Sequence, residues 1–120
     1  MAKVPWIDFL NLHRGAHLVW GMRSDEMQDL RPIAAKLGAV IERQKPASDY
    51  SVGVLRMTGE PKVACAFVDE AAALAMSEIV GAKPVAANSG WASERCFTLD
   101  ENTLVEIDRA AGTRRRRRRA

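Results

Sequence analysis

The run of six arginines near the end of this sequence is the feature best suited to binding a ligand. A guanidinium group can bind a phosphate through two parallel hydrogen bonds, so the run suits DNA, RNA, an anionic membrane or an acidic protein. Such contacts hold a polyanion without reading its sequence. The predicted nucleic-acid-binding residues are Arg114, Arg115, Arg116, Arg117, Arg118 and Arg119.

The composition of this run also predicts its structure. Since like charges repel and no apolar residue interrupts the run, we predict a disordered tail that attaches non-specifically to nucleic acid or another polyanion. The alternative is a solvated extension without a function.

The rest of the chain carries charge of the opposite sign. Lys and Arg together number 18 and Asp and Glu together number 15, which gives a formal net charge of +3. Without the six arginines of the run, 12 basic residues remain against 15 acidic ones, a net charge of −3. The sequence therefore predicts a mildly acidic body, and any attachment to nucleic acid depends on the tail.

The histidines and cysteines do not have the spacing of a usual zinc or nucleophilic site. His13 and His17 are the only histidines, and Gly15 between them, with a strand beginning at His17, breaks the geometry of a two-ligand helix. Cys65 and Cys96 stand in apolar stretches without a partner at ligand spacing. We expect two buried, reduced thiols, with a disulfide as the alternative if their strands are neighbours.

Three pairs of neighbouring carboxylates are candidates for general acid and base chemistry. The pairs are Asp25 with Glu26, Asp69 with Glu70, and Asp100 with Glu101. Each pair stands where a helix is predicted to begin, and the positive end of the helix dipole favours negative charge there. The sequence has no G-x-G-x-x-G, G-x-x-x-x-G-K-[ST] or G-x-S-x-G motif. We therefore predict a binding protein that is not an enzyme and holds no metal and no cofactor.

The spacing of apolar and capping residues predicts the elements that position these groups. In chain order they are a helix within 1–15, a strand over 17–23, a helix over 25–37, a strand over 39–43, a hairpin of strands 50–57 and 62–68, a helix over 69–80, short strands over 84–87 and 94–99, and a helix over 101–111. Pro32 gives the second helix an alternative start near Asp29. A helix that continues to Gln44 is the alternative to the strand over 39–43.

Two similar halves favour a particular arrangement of these elements. Gly38 and Gly81, each followed by alanine, are predicted to end the two long helices, which makes a faint internal repeat. Two such βαβ halves would give a ferredoxin-like βαββαβ arrangement. We predict a single small α+β domain, ferredoxin-like or a related sandwich of helices on one sheet. The predicted segments are an N-terminal amphipathic segment over 1–15, the domain over 16–111 and a flexible basic tail over 112–120.

Alternation along the strands predicts which face of the sheet the helices cover. The predicted helix-covered face carries Leu18, Trp20, Met22, Val63, Cys65 and Phe67. The predicted open face carries His17, Val19, Gly21, Arg23, Lys62, Ala64, Ala66 and Val68. This open face has no aromatic platform for stacking RNA bases, yet it is too apolar to be left in water. Its cover would be the N-terminal stripe of Trp6, Phe9 and Leu10, the last helix, or a second copy in a homodimer.

An enclosed sheet face suggests the alternative function. A space between the sheet and its cover would suit a small apolar ligand, with Trp20 on a strand and Trp91 on a Gly-containing loop as the candidate pocket residues. The alternative is therefore a small-molecule-binding or sensory dimer in which the basic tail is incidental.

Length and composition set the broad class. A chain of 120 residues with 48% hydrophobic residues is enough for one folded domain. No apolar run approaches the roughly 20 residues needed to span a bilayer. Asp8, Asn11 and His13 interrupt the N-terminal apolar stretch, so no secretory signal is expected. Together with reduced cysteines, these features predict a cytoplasmic protein.

Overall fold

The computed structural model of the chain describes residues 4–13, 15–45, 48–56, 61–86 and 96–112. Within these ranges the helices are α1 (Trp6–Leu12), α2 (Leu30–Gln44), α3 (Glu70–Val80) and α4 (Glu101–Ala111). The strands are β1 (His17–Arg23), β2 (Tyr50–Arg56), β3 (Pro61–Phe67), β4 (Val85–Ala86) and β5 (Phe97–Leu99). Together they form a small α+β domain, which confirms the predicted fold class.

The strands form one mixed sheet with the order β2-β3-β1-β4. β3 pairs antiparallel with β2 on one side and with β1 on the other. β4 pairs antiparallel with the beginning of β1, whereas β5 pairs parallel with its end, over Gly21 to Arg23. The outer edge of β1 is therefore shared by two short strands, and the ferredoxin-like topology stays a prediction.

Helices α2, α3 and α4 lie on one face of the sheet and form the larger core with it. The strand residues of this core include Val19, Val63, Cys65 and Phe67, and its fully buried helix residues include Leu37, Ile41, Met76 and Ile107. Burying a large apolar side chain of this kind contributes about 1.5–3 kcal/mol, so this core is the main source of stability.

The N-terminal segment covers the opposite face of the sheet. Phe9 of α1 is fully buried in a second cluster with Leu18, Trp20, Ala64, Ala66 and Val85. The backbone N–H of Val4 donates to the carbonyl of Tyr50 at 2.9 Å, which ties this segment to β2. The N-terminal segment is one of the three predicted covers, whereas α4, another of them, packs on the other face, and the homodimer stays a prediction.

The predicted assignment of β1 to the two faces is wrong. Val19 stands opposite Cys65 and Trp20 stands opposite Ala64, so Trp20 shares a face with the alanines of β3. Residues that stand directly opposite each other in a sheet lie on the same face. Leu18, Val19 and Trp20 are all buried, so alternation along β1 does not distinguish its two faces.

The predicted strand over 39–43 and the predicted stop at Gly38 are also wrong, because α2 continues to Gln44. Val40 and Ile41 extend the buried stripe of Leu37 at helical spacing. The alternative start is confirmed, since the Asp29 side chain accepts the N–H of Arg31 and Pro32 follows in the first turn. With Gly38 inside a helix and Gly81 at a helix end, the predicted internal repeat loses its basis.

Candidate polyanion-binding site

Helix α4 is the last described element before the arginine run in the sequence. The Asp100 side chain accepts the backbone N–H of Thr103 at 2.9 Å and so caps the beginning of this helix. At its end Gly112 has a left-handed backbone (φ 72) and donates its N–H to the carbonyl of Arg109. The described part of the chain ends with this cap, and the predicted binding residues follow it in the sequence.

The six predicted nucleic-acid-binding residues follow this helix end directly in the sequence. The first of them comes two positions after Gly112. Their disorder and their contacts with a polyanion stay predictions, because all six lie outside the described residues: Arg114, Arg115, Arg116, Arg117, Arg118 and Arg119.

The end of α2 brings a further cation, Arg43, into this region. The Arg43 side chain occupies the space beside Gly112, with its Cδ 3.6 Å from where a Cβ of residue 112 would lie. Lys45 ends the same helix, and both side chains are exposed. A cation near the end of α4 is also favoured by the partial negative charge of the helix carbonyls.

Two other cations of helices α2 and α4 form ion pairs with carboxylates of α4. Lys36 Nζ lies 2.7 Å from Asp108 Oδ1, and Arg109 lies 2.8 Å from Glu106 Oε2. Within the described ranges, no carboxylate forms an ion pair with Arg43 or Lys45.

Sequence reasoning did not identify Arg43 and Lys45 as members of the site. Interpreting residues 39–43 as a strand placed Arg43 in the sheet and not at the end of a helix. The available signal was the alternative helix to Gln44, which puts a basic residue in its last turn and another directly after it. The proximity of Arg43 to Gly112, 69 positions later in the sequence, depends on the packing of α2 against α4 and has no local signal.

Of the two tryptophans predicted to line a pocket, only Trp20 is among the described residues. Trp20 is only 1% exposed and packs in the cluster beneath α1. Trp91 lies outside the described residues. A pocket that they share stays a prediction.

Two clefts lie along the side of α2 next to β2. The first has a volume of about 450 Å³ and is lined by Arg23, Gln28, Asp29, Leu30, Arg31, Val54 and Pro61. Arg31 donates to the Asp29 carboxylate at 3.1 Å, and Arg23 donates to the carbonyl of Glu26 at 2.8 Å. Both guanidinium groups of this cleft are thus already engaged within the chain.

The second cleft has a volume of about 410 Å³ and is lined mostly by small residues. Its lining residues are Ala35, Gly38, Ala39, Glu42 and Tyr50. The Tyr50 hydroxyl donates a short hydrogen bond to the Glu42 carboxylate. Burial, followed by this hydrogen bond, raises the pKa of the Tyr50 hydroxyl, so it remains a protonated donor at neutral pH.

The histidines serve separate local contacts. His13 Nε2 lies 3.6 Å from Asp49 Oδ2, and its ring centroid is 4.8 Å from that of Phe9. His17 belongs to β1, where it stands opposite Phe67. Among the described residues no group of three or more His, Cys, Asp or Glu side chains is arranged to hold a metal ion.

The cysteines lie on different sides of the sheet. Cys65 is fully buried in the helix-covered core, and burial raises the pKa of its thiol to about 12. Cys96 is half-buried and packs against the cluster beneath α1. No disulfide joins them, because the strand of Cys65 and the segment of Cys96 are separated by β1.

Two of the three carboxylate pairs begin helices as predicted. Asp69 and Asp100 cap α3 and α4 by accepting backbone N–H groups. Asp25 accepts the N–H of Met27 within a turn, and α2 begins only after Asp29. The prediction that Asp25 and Glu26 start a helix is therefore wrong, because the later aspartate supplies the cap.

Comparison of the chain with protein-family models, with curated proteins and with solved structures found no match. No helix in the described ranges is both long enough and apolar enough to cross a membrane.

Proposed function

We propose that this protein is a non-catalytic attachment protein whose Arg114 to Arg119 segment binds nucleic acid through its phosphates. The observation that carries the proposal is the position of Arg43, whose side chain lies against Gly112 where the arginine segment begins. Arg43 and Lys45 extend the cationic surface from the tail onto the folded domain. The domain itself is net acidic, so contacts elsewhere on its surface are not favoured.

The binding we propose is electrostatic and independent of base sequence. Arginine contacts to phosphates position a protein on nucleic acid without specifying bases. The tail then holds the folded domain near the polyanion. A cytoplasmic location belongs to the same proposal.

We also propose that the domain is a variant of the ferredoxin-like arrangement. The order β2-β3-β1-β4 supports this, since α2 connects β1 to β2 with β3 between them, and α3 connects β3 to β4 with β1 between them. The departures are the N-terminal helix α1, strand β5 and the final helix α4. In this arrangement α4 is an addition whose end presents the basic segment.

The proposal is tested by fluorescence anisotropy with labelled duplex DNA and single-stranded RNA. The full chain is expected to bind both, whereas a chain ending at residue 113 should lose binding at physiological salt. Equal binding by the two chains would contradict the proposal.

A matched pair of variants tests the part played by the domain. Arg43→Gln is expected to weaken binding of both nucleic acids, by about two- to tenfold for the loss of one phosphate contact. Arg31→Gln removes the same charge from the other end of α2, about 18 Å away along the helix at 1.5 Å per residue, and should leave affinity unchanged. Equal losses in the two variants would mean that only the overall charge matters and that Arg43 is not part of the site.

A further inference from the structure

Helices α3 and α4 end in the same way, at a glycine in the left-handed backbone conformation. Gly81 follows α3 with φ 81 and ψ 18, and its N–H donates to the carbonyl of Ser77. Gly112 follows α4 with φ 72 and ψ 22, and its N–H donates to the carbonyl of Arg109. Glycine is favoured at such a helix end, because a Cβ strains this conformation. The backbone requirement is therefore the same at both positions.

The surroundings of the two glycines differ. In the described part of the chain, a Cβ added at Gly81 would meet no heavy atom within 4 Å. A Cβ added at Gly112 would lie 2.8 Å from Cζ of Arg43 and closer still to Nη1 of the same side chain. Cβ atoms do not approach other heavy atoms this closely. The Arg43 side chain therefore occupies the space that any side chain at position 112 would need.

The packing of α2 against α4 brings Arg43 into this space. Lys36 precedes Arg43 by about two helical turns, so both lie on the same side of α2. Lys36 Nζ lies 2.7 Å from Asp108 Oδ1, and Asp108 precedes Gly112 by about one turn of α4. Cδ of Arg43 lies 3.6 Å from the Cβ position of Gly112, although the residue as a whole is exposed. The aliphatic stem of Arg43 thus passes beside the glycine.

The guanidinium group of Arg43 forms no hydrogen bond or ion pair within the described ranges. Arg31 and Arg109, by contrast, each form an ion pair with a carboxylate. The carboxylate next to Arg43 in the sequence, Glu42, lines the cleft beside Tyr50 and accepts the Tyr50 hydroxyl. A guanidinium group without a carboxylate partner can direct its N–H donors to a phosphate without breaking an ion pair.

Gly112 also lies close to the arginine segment along the chain. Arg114 follows it by two residues. Consecutive Cα atoms are about 3.8 Å apart, so the Cα atoms of Gly112 and Arg114 are separated by at most about 7.6 Å in any conformation. Duplex DNA carries one phosphate charge per about 1.7 Å of its axis, so two cations this close to each other meet the same few phosphates. The space at Gly112 therefore brings a cation of the folded domain to the beginning of the arginine segment.

We infer that Gly112 is a positioning residue of the polyanion-binding site, because its lack of a side chain lets Arg43 bind phosphates together with Arg114. Gly112 itself contacts no phosphate and acts through Arg43. The inference rests on the proposed function and adds the residue that determines where the domain meets the polyanion. A side chain at position 112 would displace the flexible guanidinium group and leave the core intact, since Arg43 is exposed.

The same substitution at the two helix-ending glycines tests the inference in the full chain. Asparagine enters the left-handed conformation more readily than other residues with a Cβ, so both variants should fold. Gly112→Asn is expected to weaken binding of labelled duplex DNA about two- to tenfold, as Arg43→Gln does, and to reduce the salt slope by about 0.9. Gly81→Asn adds the same group where it meets nothing and should change neither quantity. Anisotropy measures both, and circular dichroism checks folding.

Two further measurements separate this inference from the proposed function. Without nucleic acid, the NMR signal of the Arg43 Nε–H group should shift in Gly112→Asn and stay in place in Gly81→Asn. Combining Gly112→Asn with Arg43→Gln should weaken binding no further than Arg43→Gln alone, because both remove the same contact. An unchanged Arg43 signal, additive losses, or equal affinities of the two asparagine variants would overturn the inference alone. A full chain that binds no better than residues 1–113 would overturn the proposed function, and this inference with it.

Discussion

At the scale of single residues, Gly21 determines how the end of β1 packs. It stands between Val63 of β3 and Phe97 of β5. A Cβ at this position would lie 2.5 Å from Cζ and 2.7 Å from Cδ2 of the Phe97 ring. Glycine is therefore needed here for the close approach of an aromatic ring, since its φ is not in the left-handed region.

We predict that Gly21→Ala destabilises the domain by about 1–3 kcal/mol, because the added methyl group displaces the Phe97 ring from a filled core. The free energy of unfolding in urea measures this. Gly38→Ala is the matched control, since a Cβ there meets nothing within 4 Å and removing glycine from a helix interior should stabilise the chain by about 0.5–1 kcal/mol. A Gly21→Ala variant as stable as the original chain would show that the ring does not occupy this space.

Arg43 shows how far sequence alone can identify a residue of the candidate site. The arginine segment is evident from composition, because six consecutive like charges are unusual whatever the fold. The contact of Arg43 with Gly112 is not evident, because it depends on two helices distant in sequence. Local sequence patterns indicate where a helix is capped and which of its positions are apolar. They do not indicate which helix ends lie next to each other in the fold.

At the scale of elements, the caps of α3 and α4 were predicted directly, whereas the course of α2 was predicted only as an alternative. Asp69 and Gly81 bound α3, and Asp100 and Gly112 bound α4, as the capping preferences of these residues predict. In α2 the glycine stands inside the helix, and the end is formed by Lys45 in a left-handed conformation (φ 50). Tertiary burial of Val40 and Ile41 outweighs the local preference of glycine to end the helix.

The face assignment of β1 failed for a related reason. A strand that is buried on both sides has no polar face, so its period of two residues carries no information about which side meets the helices. Only the register with β3 distinguishes the faces, and a shift of one residue exchanges them.

The cap of α4 makes a prediction about pH. The backbone N–H of Thr103, which donates to the Asp100 carboxylate, lowers the pKa of that carboxyl below its ordinary value. A pKa that is lower in the folded state contributes stability above the unfolded value of about 3.9, and this contribution is lost as the pH falls through the folded value.

Asp100→Asn retains an oxygen acceptor but does not titrate. We expect the original chain to be more stable than this variant at pH 7, and the difference in unfolding free energy to shrink as the pH falls from 5 to 2. Urea unfolding of both chains across this range measures it. A difference that stays constant or grows toward low pH would contradict a stabilising carboxylate at this cap.

At the scale of the whole molecule, charge is divided between a net acidic domain and a cationic segment. The 114–119 segment contributes six positive charges, while the remainder carries a net charge of −3. In the proposed function, attraction to a polyanion is concentrated in the segment that follows α4 in the sequence, and Arg43 beside Gly112 extends it onto the domain. Because the remainder of the chain is net acidic, we expect phosphates to repel most of its surface.

The dependence of affinity on salt tests this division of charge most directly. We would measure the affinity of the full chain and of residues 1–113 for duplex DNA by anisotropy across a salt series. With about −0.9 per phosphate neutralised, full engagement of the six arginines gives a slope of log K against log salt of roughly −5, and the shorter chain should bind too weakly to give a slope. A full-chain slope near zero, or the same slope in both chains, would contradict attachment through the arginine segment.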